Sequence, residues 1–258
     1  MFNIAINTFR EIVRNKFLYM ILFFALVFIV FSILLWNLTL WDNKKLIVDF
    51  WLSMIEIFWL LWIIFIWSQL LFKEIEGKTI FLILSKPIKR YEFVLWKFLW
   101  FSFIIFLIVF VQSLFYLLVL YFKDIEITKL IISSLFFTFL KLEILLSIIL
   151  FFSSFVSNII TILVSVWIYL ASNSFSLILD LAYRTKNEIV IYFSKFLKVF
   201  FPPMEALNTK DFIWVFDLNK IIWNFYKYFL YNWAYAILYI IIILFFTIII
   251  FNKKTFEN

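Results

Sequence analysis

Long apolar segments, each followed by a shorter polar one, dominate the pattern of this chain. Residues 17–36 carry no charge over 20 positions, which is the length that an α-helix needs to cross the hydrocarbon core of a bilayer. Five more segments have a comparable length and few charges. The pattern therefore predicts an all-α polytopic membrane protein with six transmembrane helices, at about 17–36, 52–72, 98–122, 130–153, 158–180 and 231–251.

The segment before the first predicted span has a different pattern. Within residues 1–16, apolar side chains recur on one side at helical spacing, and the polar residues gather largely on the other, namely Asn7, Arg10, Glu11 and Arg14. This is the pattern of a helix that lies in the membrane interface. The same residues would also fit an irregular start to the first span, so two interpretations are open here.

The distribution of positive charge predicts the orientation. Eleven Lys and Arg residues fall on each side of the six predicted spans, but those in short loops near span ends have the most weight. The short basic segments are the two termini and the loop 73–97. We therefore expect a cell-membrane protein with this loop and both termini in the cytoplasm.

The long segment 181–230 is predicted to lie on the outer side. It is too polar for the hydrocarbon, yet it is rich in Phe, Tyr and Ile. Pro202 and Pro203 interrupt it, because proline lacks an N–H group and disfavours helix at the preceding residue. We expect interfacial helices packed on the outer face of a single transmembrane domain, 1–258.

The composition agrees with a membrane protein and excludes several chemistries. Apolar residues make up 67% of the 258 residues and charged residues 15%, against about 25% charged in soluble domains. Because the chain has neither Cys nor His, disulfides, thiol catalysis, imidazole metal ligands and His-dependent triads are absent. No catalytic or metal site is predicted. A net charge of +7 is typical of a membrane protein whose lysines face the lipid headgroups. No pattern in the sequence indicates nucleic-acid binding.

The loop after the second predicted span combines charge with an apolar run. Residues 73–90 read KEIEGKTIFLILSKPIKR, and Gly77 is the one glycine of the chain. The apolar residues 80–84 lie outside the hydrocarbon, and such a run usually has a covering surface. The G-K-T sequence is not a phosphate-binding loop, because Phe72 stands where its first glycine would be. The loop is either a docking site for a protein partner or the frayed end of the second span.

Four stretches follow one another along the chain: NTFREIVRNKFLY near the N-terminus, the stretch 56–100, FPPMEALN, and FNKKTF after the last span. In this order they resemble the membrane subunits of type-2 ABC exporters, most closely the permeases grouped with copper-enzyme maturation. In that family the loop after the second span is similar to E-x-E-x-x-T, then S-K-P, then R-x-E-F. The corresponding residues here are Glu74, Glu76, Thr79, Ser85, Lys86, Pro87, Arg90, Glu92 and Phe93.

The resemblance implies a bacterial exporter permease that forms the translocation path. Its loop would dock on a separate ATPase subunit, which binds ATP and Mg²⁺, and a second permease chain, identical or not, would complete the path. The implied ATPase contacts are Glu74, Glu76, Gly77, Thr79, Ile80, Leu84, Ser85, Pro87 and Arg90. No cofactor is expected in this chain itself, and the sequence does not identify the substrate. The alternatives are a non-transporting membrane assembly factor and an intramembrane enzyme, for which no convergent set of side chains is visible.

Three ionisable residues lie within or at the edge of predicted spans: Glu56, Lys141 and Glu143. A Lys at the centre of a span costs about 2.5–3.5 kcal/mol on insertion scales, so it should face protein or water. Lys141 and Glu143 are two positions apart and face different sides of a helix. Glu56 is expected near the outer end of its span and Lys141 near the middle, so no pairing is predicted there either. The three residues are either structural interhelical contacts or a polar lining for substrate or protons.

The glycine and tryptophan counts depart from average composition. The chain has one Gly and twelve Trp, whereas a protein of this length carries about 18 Gly. Similar permeases tend to have glycine where this sequence has Trp36, Trp41, Trp59, Trp67, Trp96, Trp100 and Trp233. An aromatic belt at the interface would explain several of these, but not the tryptophans deep in spans, Trp59, Trp62 and Trp167. We hypothesise that UGA encodes glycine in the source organism at some of these positions.

The recoding hypothesis predicts the mass of the protein. Protein purified from its source organism should have a lower mass than the mass calculated from this sequence, because each recoded position loses an indole side chain. Intact-mass spectrometry measures this difference directly. A mass that matches all twelve tryptophans would contradict the hypothesis.

Overall fold

The computed structural model describes residues 27, 30, 43–64, 89–202, 204–210, 213 and 218–253. The predicted interfacial helix at 1–16 lies outside these residues, as does all of the first predicted span except residues 27 and 30, which are helical. Most of the predicted cytoplasmic loop 73–97, up to residue 88, also lies outside them. The fold described here is therefore that of the chain from the second predicted span onward.

Seven α-helices and no β-strand occur in these described residues. The all-α prediction is confirmed for this part of the chain. In chain order the helices are α1 (Asn43–Trp62), α2 (Arg90–Phe122), α3 (Lys129–Ser153), α4 (Asn158–Asn173), α5 (Phe175–Arg184), α6 (Glu188–Phe200) and α7 (Leu218–Lys253).

Three of these helices are long and apolar enough to cross a membrane: α2, α3 and the part of α7 from Tyr226 to Lys253. Together α4 and α5 make a fourth candidate span, bent by 61° at the break between them. Helices of this length and composition are those of a transmembrane protein. Six spans stay a prediction, because the first predicted span and the end of the second lie outside the described residues.

Three helices start earlier in the sequence than the spans predicted from hydropathy. α1 starts at Asn43, α2 at Arg90 and α7 at Leu218, between eight and thirteen positions ahead of the predicted spans. Hydropathy marks the part of a helix that suits hydrocarbon, whereas backbone hydrogen bonding continues through the adjoining polar turns. Residues 90–97, predicted as loop, are therefore the first two turns of α2. Residues 218–230, predicted in the outer segment, belong to α7.

α3 is the central helix of the described bundle, and α1, α2, α4 and α7 all pack against it. In its apolar stretch 78% of the residues are buried, against 28% in that of α7. Its hydroxyl side chains donate to carbonyls one turn earlier, for example Ser134 to Leu130 and Thr138 to Ser134, each at 2.9 Å. Small side chains whose polar groups are satisfied inside the helix let neighbouring helices approach closely. Serine and threonine side chains of α3 therefore allow its neighbours to pack closely against it.

Contacts between helix ends show in which direction each helix runs. At one end of the bundle, the Arg90 end, Nη1 of Arg90 donates to the carbonyl of Asn252 at 3.1 Å. At the opposite end, the Lys44 end, Nζ of Lys44 donates to the carbonyl of Asp124 at 3.2 Å. Because α1 and α3 both start at the Lys44 end and α7 finishes at the Arg90 end, these three helices run in one direction. α2 runs in the other.

A short turn at the Lys44 end joins α2 to α3. α2 ends at Phe122, and Asp124 adopts a positive φ of 51°, which Asp tolerates better than most residues other than glycine. Thr128 then caps α3, because its side-chain oxygen accepts a hydrogen bond from the N–H of Ile131 at 3.4 Å. The Asp turn and the Thr cap together reverse the chain and set α3 antiparallel to α2.

Three tryptophans occupy positions that an aromatic belt does not explain. Trp51 and Trp59 of α1 are buried in the core, at 0% and 2% exposure. The indole N–H of Trp59 is buried and donates no hydrogen bond within the described residues, whereas a buried indole usually finds an acceptor. Trp167 is exposed in the middle of α4 rather than at its end. These positions favour the recoding hypothesis over an interfacial belt.

Candidate functional site

Four side chains form a buried polar group between α1, α3 and α4, which we name the charge cluster: Glu56, Lys141, Tyr169 and Lys210. The ammonium of Lys141 lies 2.7 Å from Oε1 of Glu56, and that of Lys210 lies 2.7 Å from Oε2. The hydroxyl of Tyr169 donates to Oε1 at 2.9 Å. One carboxylate thus accepts three hydrogen bonds, two of them from cations, which satisfies it although it is almost completely buried.

The pairing of Glu56 with Lys141 shows that the depth prediction was wrong. The apolar pattern placed the start of the second span near residue 52, so Glu56 looked close to the membrane surface. Because α1 starts at Asn43 and α3 at Lys129, the two side chains are 13 and 12 residues from their helix starts. At 1.5 Å per residue these distances are about 20 Å and 18 Å. Since α1 and α3 run in the same direction, the two charges lie at the same level and meet.

Lys210 reaches the charge cluster from a short stretch after the proline pair, residues 204–210, which we name the inserted segment. Met204 and Leu207 in this stretch are 0% and 1% exposed and belong to the hydrophobic core. The N–H of Met204 donates to the carbonyl of Pro202 at 2.8 Å, so the stretch opens with a tight turn. The sequence predicted packing on the outer face for this region, and the structure takes the inserted segment into the bundle instead.

Polar contacts hold the inserted segment to three helices. They are the Thr209 and Ser134 hydroxyls, 2.7 Å apart; the N–H of Ser176, which donates to Glu205 Oε2 at 2.9 Å; and the hydroxyl of Tyr228, which donates to the carbonyl of Ala206. These contacts reach α3, α5 and α7 in turn. Because the segment has little regular structure of its own, such contacts satisfy backbone and side-chain groups that would otherwise be buried unpaired.

The charge cluster links parts of the chain that are far apart in sequence. Its carboxylate belongs to α1, one cation to α3 and the other to the inserted segment, so these three elements cannot separate without breaking an ion pair in a low-dielectric interior. The two cations differ in their access to water. The Lys210 side chain is 17% exposed and that of Lys141 is 3% exposed. Lys210 is therefore the contact that can be exchanged with water, while Lys141 keeps the carboxylate neutralised.

Glu143 occupies a separate buried position on α3. It is 4% exposed, and its polar neighbour is Ser102 on α2. Its Oε1 atom has no hydrogen-bond partner among the described residues. Lys141 and Glu143 thus face different helices, as their two-residue spacing predicts. Glu143 is not part of the charge cluster.

Two further polar side chains are buried in α2 near the Lys44 end. Gln112 and Tyr116 are both 0% exposed, and they lie one helical turn apart. Neither the amide of Gln112 nor the hydroxyl of Tyr116 has a hydrogen-bond partner among the described residues. The ring of Tyr116 stacks on Trp51, with centroids 5.8 Å apart. Gln112 and Tyr116 are therefore buried polar groups on α2, separate from the charge cluster.

The residues predicted to contact an ATPase fall almost entirely outside the described residues. Eight of the nine do so, namely Glu74, Glu76, Gly77, Thr79, Ile80, Leu84, Ser85 and Pro87. The ninth, Arg90, starts α2 and binds the carbonyl of Asn252 at the end of α7. The predicted loop is therefore followed by a helix, α2, whose first residue is hydrogen-bonded to the last turn of α7.

The sequence did not indicate Tyr169 or Lys210 as members of a site. Tyr169 reads as an ordinary aromatic residue of a span, and Lys210 as one of many charges in a polar segment. One signal was available: the stretch after the proline pair contains Met204, Ala206 and Leu207, which are apolar residues in a segment otherwise assigned to the membrane surface. Burial of that stretch would have brought the next lysine into the bundle.

Comparison with known proteins adds no family assignment. No protein-family model matches the sequence, and no curated protein matches it significantly. The transmembrane character therefore follows from the helices described above, and the functional proposal depends on motif order and geometry.

Removal of the shared carboxylate should destabilise the fold more than removal of one cation. Glu56→Gln leaves both lysines without their common anion in a buried place, so we expect the free energy of unfolding to fall by about 3–5 kcal/mol. Lys141→Met leaves Glu56 paired with Lys210 and should cost less. Denaturant titration of the purified protein in detergent micelles measures both effects.

A double-mutant cycle and a surface control complete this test. The double variant Glu56→Gln/Lys141→Met should lose less stability than the sum of the single variants, because each removes the same ion pair. Glu188→Gln changes an exposed carboxylate at the start of α6 and should stay within about 0.5 kcal/mol of wild type. Strictly additive losses at residues 56 and 141 would show that the ion pair does not contribute to stability.

Proposed function

We propose that this chain is the permease subunit of an ABC-type exporter, driven by a separate ATPase subunit that docks on the loop 73–92. The order of motifs carries the proposal. The E-x-E-x-x-T and S-K-P patterns stand between the second and third predicted spans, and FPPMEALN stands between the fifth and the last. A bundle of long apolar helices is what such a subunit requires.

The described geometry supports a route from the loop to the membrane interior. The loop is followed at Arg90 by α2, which has 33 residues and is therefore about 50 Å long. α2 packs along α3, and α3 carries Lys141 of the charge cluster. Closure of a docked ATPase would move the loop, and a stiff helix would transmit that movement to the packed helices beside it.

In this proposal the ion pair between Lys210 and Glu56 holds the inserted segment in the bundle until the helices move. When the helices shift, the contact between Lys210 and Glu56 opens and the inserted segment is released toward the Lys44 end. Because Lys141 stays on the same carboxylate, the anion is never left buried without a cation, which is the costly state of a broken ion pair. The two-cation arrangement thus allows one contact to open at a modest cost in free energy.

The proposal includes six spans, both termini in the cytoplasm and a path completed by a second permease chain. One six-span unit offers half of a translocation path in this class, so two permease chains, identical or not, would accompany the ATPase. The described polar side chains available to such a path are Glu56 and Lys141 of the charge cluster and, on the side of α3 that faces α2, Glu143.

Substitution in the loop should separate docking from folding. Glu76→Lys reverses a charge that the proposal places against the ATPase, and loss of one partner of a desolvated charge pair costs about 2–5 kcal/mol. We expect the variant to insert normally, to lose co-purification with the ATPase encoded nearest to its gene, and to lose stimulated ATP hydrolysis in parallel.

The matched control reverses a charge elsewhere. Glu188→Lys lies at the exposed start of α6 and should leave both co-purification and ATP hydrolysis unchanged. If the two variants behave alike, or if polar replacement of the apolar residues 80–84 leaves assembly intact, the coupling-loop proposal is wrong. An assembly factor would purify without any ATPase whose activity it stimulates.

The proposed orientation predicts which side of the membrane each loop faces. The sequence has no cysteine, so a single introduced cysteine is the unique target of a membrane-impermeant thiol reagent. Cysteines at Ser85 and Asn258 should react from the cytoplasmic side, and a cysteine at Asn187 from the outer side. Reaction of Ser85 and Asn258 variants from opposite sides would contradict six spans with both termini inside.

A further inference from the structure

Glu143 is a buried acidic residue without a counter-ion. It is 4% exposed, and the described residues include no Lys or Arg within 4 Å of its carboxyl group. Its Oε1 atom has no hydrogen-bond partner among these residues either. An ionised carboxylate in an apolar interior is costly unless cations and hydrogen-bond donors replace the water around it. The surroundings of Glu143 lack both cations and, at Oε1, a donor.

Glu56 provides the comparison within the same bundle. Glu56 and Glu143 are equally buried, at 4% exposure each. Two ammonium groups lie 2.7 Å from the carboxylate of Glu56, and the hydroxyl of Tyr169 donates to it as well. Carboxyl groups whose surroundings differ in this way hold their protons differently. Of the two, Glu56 alone has the partners that a buried anion requires.

The charged residues of the helices around Glu143 have other positions or other contacts. Lys141 on the same helix pairs with Glu56. The ammonium of Lys97 on α2 lies 6.0 Å and 5.4 Å from the ring centres of Phe93 and Phe101. α4 has no charged residue. The remaining charges on the helices that pack against α3 lie in the first ten residues or at the last residue of each helix: Lys44, Lys45 and Asp49 on α1, Arg90 and Glu92 on α2, and Lys220, Lys227 and Lys253 on α7.

The polar neighbour of Glu143 is a hydroxyl group. Ser102 on α2 forms a side-chain hydrogen bond with the Glu143 carboxyl group, and Ser102 is itself partly exposed. A hydroxyl oxygen can accept the O–H of a carboxylic acid as readily as it can donate to a carboxylate. Because Oε1 has no partner, the contact falls on Oε2. In a neutral acid Oε1 is then the carbonyl oxygen, and an unpaired carbonyl is less costly than an unpaired charge.

We propose that Glu143 is a proton-binding site: its carboxyl group carries one proton at neutral pH, on Oε2, and donates it in a hydrogen bond to Oγ of Ser102. The proton leaves only when α2 and α3 separate enough for water or a cation to reach the carboxyl group, because the anion would otherwise be buried without a partner. The site thus links the binding of one proton to the packing of α2 against α3. This inference does not depend on the exporter proposal.

Infrared spectroscopy of the full chain tests the proposal, because a protonated carboxyl group has a C=O stretching band above the amide bands and a carboxylate does not. The protein is measured at neutral pH in dodecyl maltoside, a detergent without carbonyl groups. We expect the wild type to show the band and Glu143→Gln to lose it. Glu188→Gln, which changes an exposed carboxylate, should retain it. Ser102→Ala should shift the band to higher frequency, since the acid loses its hydrogen bond.

A second measurement needs no substitution and so does not depend on the folding of a variant. In wild-type protein labelled with carbon-13 at the side-chain carboxyl carbon of glutamate, the band should move to lower frequency. Absence of the band at neutral pH, or a band that this label leaves in place, would show that Glu143 is ionised and overturn the proposal. A band of equal intensity in the wild type and in Glu143→Gln would overturn it too, and a band unchanged in Ser102→Ala would rule out Ser102 as the acceptor.

Discussion

The carboxylate of Glu56 is the group on which the polar organisation of the described bundle depends. A buried anion in a membrane protein is stable only when cations and hydrogen-bond donors replace water around it. Here two lysines and a tyrosine hydroxyl do so. Because these donors come from α3, α4 and the inserted segment, the requirement to satisfy one side chain determines how three separate parts of the chain meet α1. The inserted segment is also held in the core by its buried side chains Met204 and Leu207.

The apolar part of the bundle is held by a different kind of contact. Helices in lipid gain little from the hydrophobic effect on association, so close packing and satisfied polar groups decide which faces meet. α3 achieves this with serine and threonine hydroxyls bonded within the helix, and with aromatic pairs such as Phe137 and Phe229, whose ring centroids are 5.0 Å apart. Under the recoding hypothesis, glycine at position 59 would remove a buried indole and let a neighbouring helix approach α1 more closely.

Lys210 of the charge cluster belongs to the same continuous stretch of chain as α5 and α6. α6 ends at Phe200, the proline pair follows, and the inserted segment ends at Lys210. A movement that released Lys210 would therefore also move the end of α6, which the hydroxyl of Tyr239 holds. In the proposed exporter, a change at the loop before α2 and a change at the end of α6 would be linked through α3 and the charge cluster.

The sequence by itself determined the helical, membrane-spanning character of this protein, because uncharged runs of about 20 residues have few other stable solutions. It also identified Glu56 and Lys141 as residues that need a partner, since isolated charges in such runs are costly. It could not say that they are partners of each other, because the apolar pattern does not mark the polar turns with which α1 starts. Only the tertiary structure decided that α1 and α3 run side by side at equal depth. Only it brought Tyr169 and Lys210 to the same carboxylate, because a contact between residues more than 40 positions apart leaves no periodic signal along the chain.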